Sequence, residues 1–242
     1  HADYLTLFKN DIDKMKKFFE EKKYKKFKKI VFVSKEGRDT FLSVFPDAEK
    51  KTEVCNNLID GEKIEKLAQE KIDEKKEKIT TFINVGRHQE CQKKLTRIIE
   101  SAKILKEKEE EFRILFVGDG EDTQQYKDLV KKYKLEEQIK FLGRKQNPYP
   151  YIAISDCVIL TSDYEGYPVV FLESMTLEKP IITTKVSDYE EIEGKYGYTT
   201  EKDPEDIANK MQKIIENGYK IKKEFNYKEY NKKILKKIEE MF

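Results

Sequence analysis

The sequence predicts an α/β protein built on a doubly wound parallel sheet. Two observations support this prediction. From Thr80 onward, short apolar runs alternate regularly with longer stretches whose apolar residues recur every three or four positions, and strands that alternate with helices in this way form parallel sheets. In addition, one strand is followed by a polar loop, a proline and a helix, and Lys179-Pro180 ends that helix before a further strand. Proline is tolerated where a helix begins but not where it continues.

Six strands are predicted in this part of the chain. They are Thr81–Val85, Arg113–Val117, Ile139–Leu142, Cys157–Leu160, Ile181–Thr184 and Tyr198–Thr200. The intervening stretches predict amphipathic helices, because their apolar residues share one face. In a doubly wound sheet, ligands bind beyond the carboxyl ends of the strands, where the strand order reverses. We therefore expect the functional loops to be those after Val85, Val117, Leu142 and Leu160.

The residues before Thr80 predict a smaller α/β unit. One amphipathic helix is expected from the spacing of Leu5, Phe8, Ile12, Met15 and Phe19. Two short buried strands, Ile30–Val33 and Thr52–Cys55, follow, and Ser34 is placed to cap the helix between them. Residues 22–29, KKYKKFKK, form a basic run interleaved with aromatics. This run is either a patch for anionic lipid headgroups or a solvated helix end.

Composition excludes several classes of function. The 49 Lys and Arg nearly cancel the 47 Asp and Glu, and a net charge of +2 does not indicate nucleic-acid binding. The three cysteines are far apart and form no C-x-x-C, which favours a reducing cytosol and disfavours structural zinc. The chain has no signal-peptide pattern and no apolar run near ~18 residues, so no membrane span is predicted.

The loop between two of the predicted strands carries the strongest functional pattern. After the Cys157–Leu160 strand come residues 162–168, SDYEGYP, and then a helix from Val169 to about Glu178. Glu165 lies at the carboxyl end of the strand, and Glu173 lies eight residues later inside the helix. The N–H groups of a helix's first turn have no intrahelical partner and attract anions. The segment therefore combines two carboxylates with an anion-binding helix terminus.

This segment resembles the E-x7-E signature of GT-B glycosyltransferases, specifically the large retaining family 4. Three further segments match that family in order: Gly86-Arg87 after one strand, Gly118-Asp119-Gly120 after the next, and Phe141-Leu142-Gly143 at the end of the third. The resemblance covers roughly Ile30 to the C-terminus. It implies the Rossmann-like donor-binding domain of a GT-B protein, preceded by only part of the N-terminal, acceptor-side domain.

The resemblance also implies roles for individual residues. Glu173 would accept hydrogen bonds from ribose hydroxyls, and Glu165 with the backbone around the helix start would hold the transferred sugar and β-phosphate. Arg87 and Lys93 would stabilise the departing diphosphate, with Lys94 as the alternative to Lys93. The remaining expected donor-binding positions are Gly86, Gly143, Arg144, Gly166, Tyr167, Pro168, Val169 and Val170. No metal or other cofactor is implied, and the donor would be UDP- or GDP-linked.

Other interpretations of these segments are weaker. A dinucleotide fingerprint would need a glycine at Thr123, so a nicotinamide enzyme is not expected. The acidic residues Asp119, Glu121 and Asp122 indicate a solvated helix start rather than a metal site. His88 could act as a general base, but the resemblance gives it no role. A glycosidase that uses Glu165 and Glu173, or a nucleotide-sugar-binding module without turnover, remain the alternative functions.

The predicted organisation has three parts. Residues 1–78 belong to the acceptor-side domain, residues 79–226 form the donor-binding domain, and residues 227–242 form a C-terminal helix that either returns to the N-terminal region or closes the donor domain. The expected function is transfer of a sugar to a glycan or lipid-linked acceptor, in bacterial surface polysaccharide synthesis. It would take place in the cytoplasm, with possible peripheral contact at the inner face of the membrane.

Overall fold

A six-stranded parallel sheet forms the centre of the molecule. The computed structural model describes residues 4–241; the outer ends of the predicted ranges 1–78 and 227–242 lie outside the described residues. Strand order is β5-β4-β3-β6-β7-β8, with every pair parallel. The strands are β3 Thr80–Val85, β4 Phe112–Val117, β5 Ile139–Gly143, β6 Cys157–Leu160, β7 Ile181–Thr184 and β8 Gly197–Thr200. The predicted fold class and all six predicted strands are confirmed.

Helices cover both faces of this sheet. The α-helices within residues 4–241 are α1 Tyr4–Leu7, α2 Ile12–Glu21, α3 Lys35–Val44, α4 Gly61–Leu67, α5 Leu95–Glu107, α6 Thr123–Lys132, α7 Tyr149–Ile154, α8 Val169–Thr176, α9 Pro204–Asn217 and α10 Tyr227–Glu239. One hydrophobic core joins α5, α6 and α9 to alternate strand residues such as Phe82 and Ile114. The other joins α4, α7 and α8 to the opposite set, such as Ile83 and Leu115. This alternation follows from the two-residue period of a strand.

The strand order reverses between β3 and β6, and the two strands separate there. They pair only at Phe82 with Cys157 and Ile83 with Val158. One residue further on, the Nδ2 of buried Asn84 donates to the Ile159 carbonyl at 2.7 Å, so a side chain satisfies a backbone group that the sheet ladder leaves free. The loops that follow β3 and β6 therefore begin at a widening crevice, which is the usual ligand position in such sheets.

The N-terminal part has its own small core. Strands β1 (Ile30–Phe32) and β2 (Thr52–Val54) pair in parallel, and the aromatic rings of Phe19, Phe41 and Phe45 pack together beside them. The expected single helix over residues 5–19 is wrong. Lys9 and Asn10 adopt positive φ angles of 53° and 61°, which end α1, and Asp11 caps α2 by accepting from the Lys14 N–H.

The C-terminal helix returns to the N-terminal region. The side-chain amide of Asn231 on α10 both accepts from the Ile59 N–H at 3.1 Å and donates to the Ile59 carbonyl at 2.7 Å. Tyr230 donates to the Asn57 carbonyl at 3.0 Å. Tyr227 and Tyr230 also pack against the core cluster that contains Phe171 and Met175, so the helix contacts both residues 57–59 and the donor domain. Among the described residues, no helix has both the length and the apolar character needed to cross a bilayer.

Candidate donor-binding site

The loops after β3 and β6 are joined by several hydrogen bonds. The Asp163 N–H donates to the Gln92 carbonyl at 2.8 Å, and the Gln92 side chain donates to the Tyr164 carbonyl at 3.2 Å. The Thr161 hydroxyl donates to the Lys94 carbonyl at 2.9 Å. Arg97, on the first turn of α5, donates to the Thr161 carbonyl and to Asp163 at 2.8 and 2.7 Å. The two loops therefore form one unit at the switch point of the sheet.

Glu165 is held within this unit by two side chains. Its Oε1 accepts from the Lys93 Nζ and from the Ser162 hydroxyl, both at 2.6 Å. The Ser162 carbonyl in turn accepts from the Thr184 hydroxyl at 2.7 Å. The Glu165 side chain is only 8% exposed, so its charge depends on these partners rather than on water. The carboxylate is fixed at the mouth of the crevice.

Lys93 and Lys94 have different surroundings. The Lys93 ammonium pairs with Glu165, and its side chain runs close to Gly86: a Cβ added to Gly86 would lie 3.8 Å from the Lys93 Cε. Lys94 occupies the position before α5 with a φ of 52°, and its Nζ lies 3.7 Å from Glu90 and 3.8 Å from Asp163. Lys93 is therefore the lysine of this pair that contacts Glu165 itself, whereas Lys94 lies beside Asp163 of the same segment.

Helix α8 begins directly after the Glu165 loop. The sequence suggested that Pro168 takes the first helical position. In the structure Pro168, with φ −63° and ψ 112°, is instead the residue before the helix. Val169 and Val170 form the first turn, and their N–H groups have no acceptor within the helix. The Val169 side chain is 43% exposed. The helix start is therefore open to a ligand next to the fixed Glu165.

Glu173 faces the helix that follows β5. Tyr149 on α7 donates its hydroxyl to Glu173 Oε1 at 3.1 Å. Burial raises the pKa of Glu173, whereas the hydrogen bond from Tyr149 acts in the opposite direction. Burial, together with the Glu173 charge, raises the pKa of Tyr149 to about 12. The Tyr149 hydroxyl therefore orients one oxygen of the Glu173 carboxylate.

A cavity of about 410 Å³ lies beyond the ends of β3, β4 and β5. Its lining includes three cations, Arg87, Arg144 and Lys145, one carboxylate, Asp119, and Pro148. Arg87 is exposed and takes part in none of the ion pairs found within residues 4–241. Pro148 adjoins Tyr149, the partner of Glu173, so Arg87 and Glu173 lie at the same edge of the sheet. The cavity is a cationic recess.

Two glycines with positive φ angles lie at the strand ends beside this recess. Gly118 has a φ of +147°, and a Cβ there would lie 1.8 Å from the Gly86 carbonyl oxygen. Gly143 has a φ of +68° at an irregularity in the β4–β5 pairing, and its carbonyl accepts from the Gly118 N–H at 3.0 Å. Only glycine adopts these conformations readily. A side chain at Gly118 would collide with the Gly86 backbone, whereas one at Gly143 would meet open space and be disfavoured by its φ alone.

Comparison with known proteins identifies the family. The model of the family described as glycosyl transferases group 1 matches residues 65–234, well over half of the chain. The chain belongs to this family. The resemblance inferred from the E-x7-E segment is therefore confirmed at the level of the family.

Relatives within group 1 cover much of the chain at moderate identity. An uncharacterized glycosyltransferase of Methanocaldococcus jannaschii is 29% identical over 64% of this chain and 39% of its own length. The N-acetylgalactosamine-N,N'-diacetylbacillosaminyl-diphospho-undecaprenol 4-alpha-N-acetylgalactosaminyltransferase of Campylobacter jejuni is 27% identical over 85% of this chain and 55% of its own. The chain thus spans between about two fifths and just over half of the length of these relatives.

Solved structures support the fold. HepE of Anabaena in complex with UDP and glucose superposes with a TM-score of 0.70 at 20% identity, covering 88% of this chain and 63% of that protein. TarM gives a TM-score of 0.73 at 19% identity, covering 92% and 46%. At identities this low, the structural similarity shows a shared fold and nothing finer.

Three residues that hold the acidic side chains of the candidate site were not identified from the sequence. Ser162 was noted only as part of the motif, yet its hydroxyl bonds to Glu165. Arg97 and Tyr149 have partners 66 and 24 residues away in the chain, and no local pattern marks them. His88, by contrast, is buried, its Nδ1 lies 2.9 Å from the Thr123 hydroxyl, and burial lowers the pKa of its imidazole. It serves packing between the loops after β3 and β4.

Proposed function

We propose that this chain is the donor-binding half of a retaining glycosyltransferase that uses a nucleoside diphosphate sugar. One observation carries the proposal. The Lys93–Glu165 pair, the open start of α8 and the recess lined by Arg87 and Arg144 all lie at the switch-point edge of one parallel sheet. Cations and free amides at such an edge suit a diphosphate, and carboxylates beside them suit sugar hydroxyls.

Each group has a role in binding the donor. Glu173, oriented by Tyr149, accepts hydrogen bonds from the ribose hydroxyls. The recess at Gly143 and Arg144 receives the nucleobase. Glu165 and the amides of residues 166–170 hold the transferred sugar and the β-phosphate. Arg87, which is exposed and faces the recess, is free to bind phosphate oxygens through its planar fork of donors.

The chemical step follows from these placements. As the bond between the anomeric carbon and the diphosphate oxygen breaks, negative charge develops on that oxygen. Lys93, Arg87 and the helix amides stabilise it, since fixed cations and dipoles in a partly dry site lower the barrier to such charge separation. The acceptor hydroxyl forms the new bond from the face that the diphosphate leaves, and its proton passes to the departing diphosphate. This scheme assigns no step to a metal ion.

The acceptor is proposed to be a glycan or a lipid-linked saccharide in the synthesis of a surface polysaccharide. The name of the Campylobacter relative includes a diphospho-undecaprenol group, which is consistent with an acceptor of that chemistry. The N-terminal unit exposes Phe18 and Phe27 beside the lysines of residues 22–29, a combination that suits peripheral contact with anionic lipid. Sedimentation with phosphatidylglycerol vesicles tests this contact, and phosphatidylcholine vesicles are the control.

A glycosidase and a binding module are the competing functions. A hydrolase of neutral sugars needs two carboxyl groups that flank one bond, but it has no use for Lys93 and Arg87. In this structure Glu165 is paired with Lys93 at 2.6 Å, which suits a site for anions. A binding module would keep every contact with the nucleotide and lack turnover.

Calorimetric titration with UDP and GDP, followed by assays of donor hydrolysis, separates these functions. We expect one nucleoside diphosphate to bind and the Arg87→Ala variant to bind it about tenfold more weakly. Lys103→Ala, which removes an exposed lysine on α5, is the matched control and should bind normally. If neither UDP nor GDP binds the wild-type chain, both the transferase and the binding module are excluded. Binding without turnover in the presence of acceptors favours the module.

A further inference from the structure

The side chain of Tyr167 connects the loop after β6 to the segment that follows β7. Tyr167 is 5% exposed, and its hydroxyl donates to Glu191 Oε2 at 2.8 Å. The preceding residue is fastened to the same segment, because the Ser187 hydroxyl donates to the Gly166 carbonyl. Two consecutive residues of the proposed donor loop are therefore held from this segment, and the Tyr167 side chain is not part of the lining of the recess beside Arg87.

The same contact extends to the C-terminal helix. Tyr230 on α10 packs in the same hydrophobic cluster as Tyr167 and lines one cavity with Glu191, and burial raises the pKa of its hydroxyl. That hydroxyl donates to the Asn57 carbonyl, while Asn231 pairs with both backbone groups of Ile59. A continuous set of polar contacts thus runs from the N-terminal region, through α10, to the donor loop.

We propose that Tyr167 is a positioning residue that couples the placement of α10 on residues 57–59 to the geometry of residues 165–168, and so to the affinity for sugar-bearing donors. This inference rests on the proposed function. A buried phenol hydroxyl is expensive to leave without a partner, so the loop adopts the conformation in which Tyr167 reaches Glu191. Movement of α10 or of the 187–191 segment shifts the amides that would hold the sugar and β-phosphate.

The two parts of the donor should respond differently. The nucleoside is assigned to Glu173 and the recess, which do not contact Tyr167, whereas the sugar is assigned to the loop that Tyr167 holds. Loss of the Tyr167 hydroxyl should therefore weaken binding of a nucleotide sugar more than binding of the free nucleotide. If Tyr167 served only global stability, its substitution would lower the melting temperature and leave the ratio of nucleotide-sugar affinity to nucleotide affinity unchanged.

Calorimetry with UDP and UDP-glucose, and with GDP and GDP-mannose in parallel, measures the ratio. For Tyr167→Phe we expect the nucleotide sugar to bind about tenfold more weakly and the free nucleotide to change less than about twofold. Tyr230→Phe should act in the same direction, by about threefold. Tyr227→Phe is the matched control, because its hydroxyl is on the same helix but contacts Glu65 at 3.3 Å; it should leave both affinities unchanged.

Substitutions of Glu191 provide a second, independent test. Glu191→Gln keeps an oxygen that accepts from Tyr167 and should retain most of the sugar-dependent affinity, whereas Glu191→Ala should lose as much as Tyr167→Phe. The double variant Tyr167→Phe/Glu191→Ala should be no weaker than either single variant, since both remove one contact. If Tyr167→Phe does not fold, the comparison of Gln with Ala at position 191 decides the question.

The outcomes separate this inference from the proposed function. If the wild-type chain binds a nucleotide sugar and both Tyr167→Phe and Glu191→Ala keep its affinity, the inference is overturned and the proposed function stands. Equal weakening of nucleotide and nucleotide sugar would also overturn it, because the effect would not lie in the sugar-binding loop. If the wild-type chain binds none of the four compounds, the proposed function fails and the inference fails with it.

Discussion

The two sides of the candidate site are built in opposite ways. On the β6 side, Glu165 is buried and bound to Lys93 and Ser162, and the loop that carries it is hydrogen-bonded to its neighbours. On the side of β3 to β5, Arg87 is exposed and Arg144 borders an open recess. A buried carboxylate must be paired with other groups in the folded protein, whereas an exposed guanidinium is solvated by water. The first side is therefore complete before a ligand binds, whereas the second is completed by the ligand.

This difference separates stability from binding. Substitutions on the preformed side should affect both the free energy of unfolding and nucleotide affinity, because the same contacts serve both. Substitutions of the exposed cations should affect affinity alone. The exposed side nevertheless depends on a close backbone approach, since Gly118 lies directly against Gly86, the residue before Arg87.

The largest effect is expected from Gly118→Ala. The new Cβ would lie 1.8 Å from the Gly86 carbonyl oxygen, in backbone with a φ of +147°, so the strands or their loops must separate. We expect the free energy of unfolding to fall by about 4 kcal/mol, as measured by urea denaturation. Gly143→Ala is the matched control, because nothing lies within 4 Å of its Cβ position; strain alone should cost about 1–2 kcal/mol. Equal losses at the two positions would mean that the close approach to Gly86 is not rigid.

Lys93→Ala should have the next largest effect. This substitution leaves the Glu165 carboxylate, which is 8% exposed, with Ser162 as its remaining side-chain partner. The free energy of unfolding should therefore fall by about 3 kcal/mol, and UDP binding should be lost. Lys94→Ala is the control, since its contacts at 3.7 and 3.8 Å are long and should contribute less than about 1 kcal/mol. A larger loss of stability at Lys94 than at Lys93 would contradict the contrast between a preformed side and an open one.

The sequence predicted the parts of this contrast that depend on local pattern. Central parallel strands are buried on both faces and have largely apolar sequences, so β3, β4, β6 and β7 could be found, and the less buried edge strands β5 and β8 continue the same alternation with helices. The Ser162, Glu165 and Glu173 spacing places these groups around one loop and helix start. The N-terminal helix was wrong because a hydrophobic period does not reveal positive φ angles such as those of Lys9 and Asn10.

Contacts between distant segments could not be predicted in the same way. Lys93 and Glu165 are 72 residues apart, and nothing in either loop specifies that they meet. The same holds for Tyr149 with Glu173 and for Arg97 with Asp163. The pairs Lys93–Glu165 and Arg97–Asp163 depend on the strand order, which brings β3 beside β6. The Tyr149–Glu173 pair depends on how α7 and α8, which precede and follow β6 in the chain, pack in the same hydrophobic core. The resemblance to a family supplied the motif positions, but not which residues orient them.

Arg87→Ala tests the open side of the comparison directly. Because Arg87 is exposed, the free energy of unfolding should stay within about 0.5 kcal/mol of wild type, while UDP affinity falls about tenfold, or about 1.4 kcal/mol. Arg87→Lys should recover part of the affinity, since it keeps the charge and loses the planar fork. Denaturation and calorimetry on the same samples measure both quantities. A destabilised Arg87→Ala variant would place this residue on the preformed side.

The smallest effect, and the most specific, is expected from Glu173→Gln. Burial raises the pKa of Glu173 above its value in the unfolded chain, so at neutral pH the ionised carboxylate opposes folding, and this cost disappears as the pH falls through the raised pKa. The Gln variant has no such cost and still accepts from Tyr149. It should therefore be slightly more stable than wild type near pH 8, and this advantage should shrink towards acidic pH in urea titrations. Its affinity for UDP should nevertheless be about fivefold weaker at pH 8, because an amide is a poorer acceptor for ribose hydroxyls than a carboxylate. A variant that loses stability and affinity together would show that Glu173 holds α7 against α8 rather than a ligand.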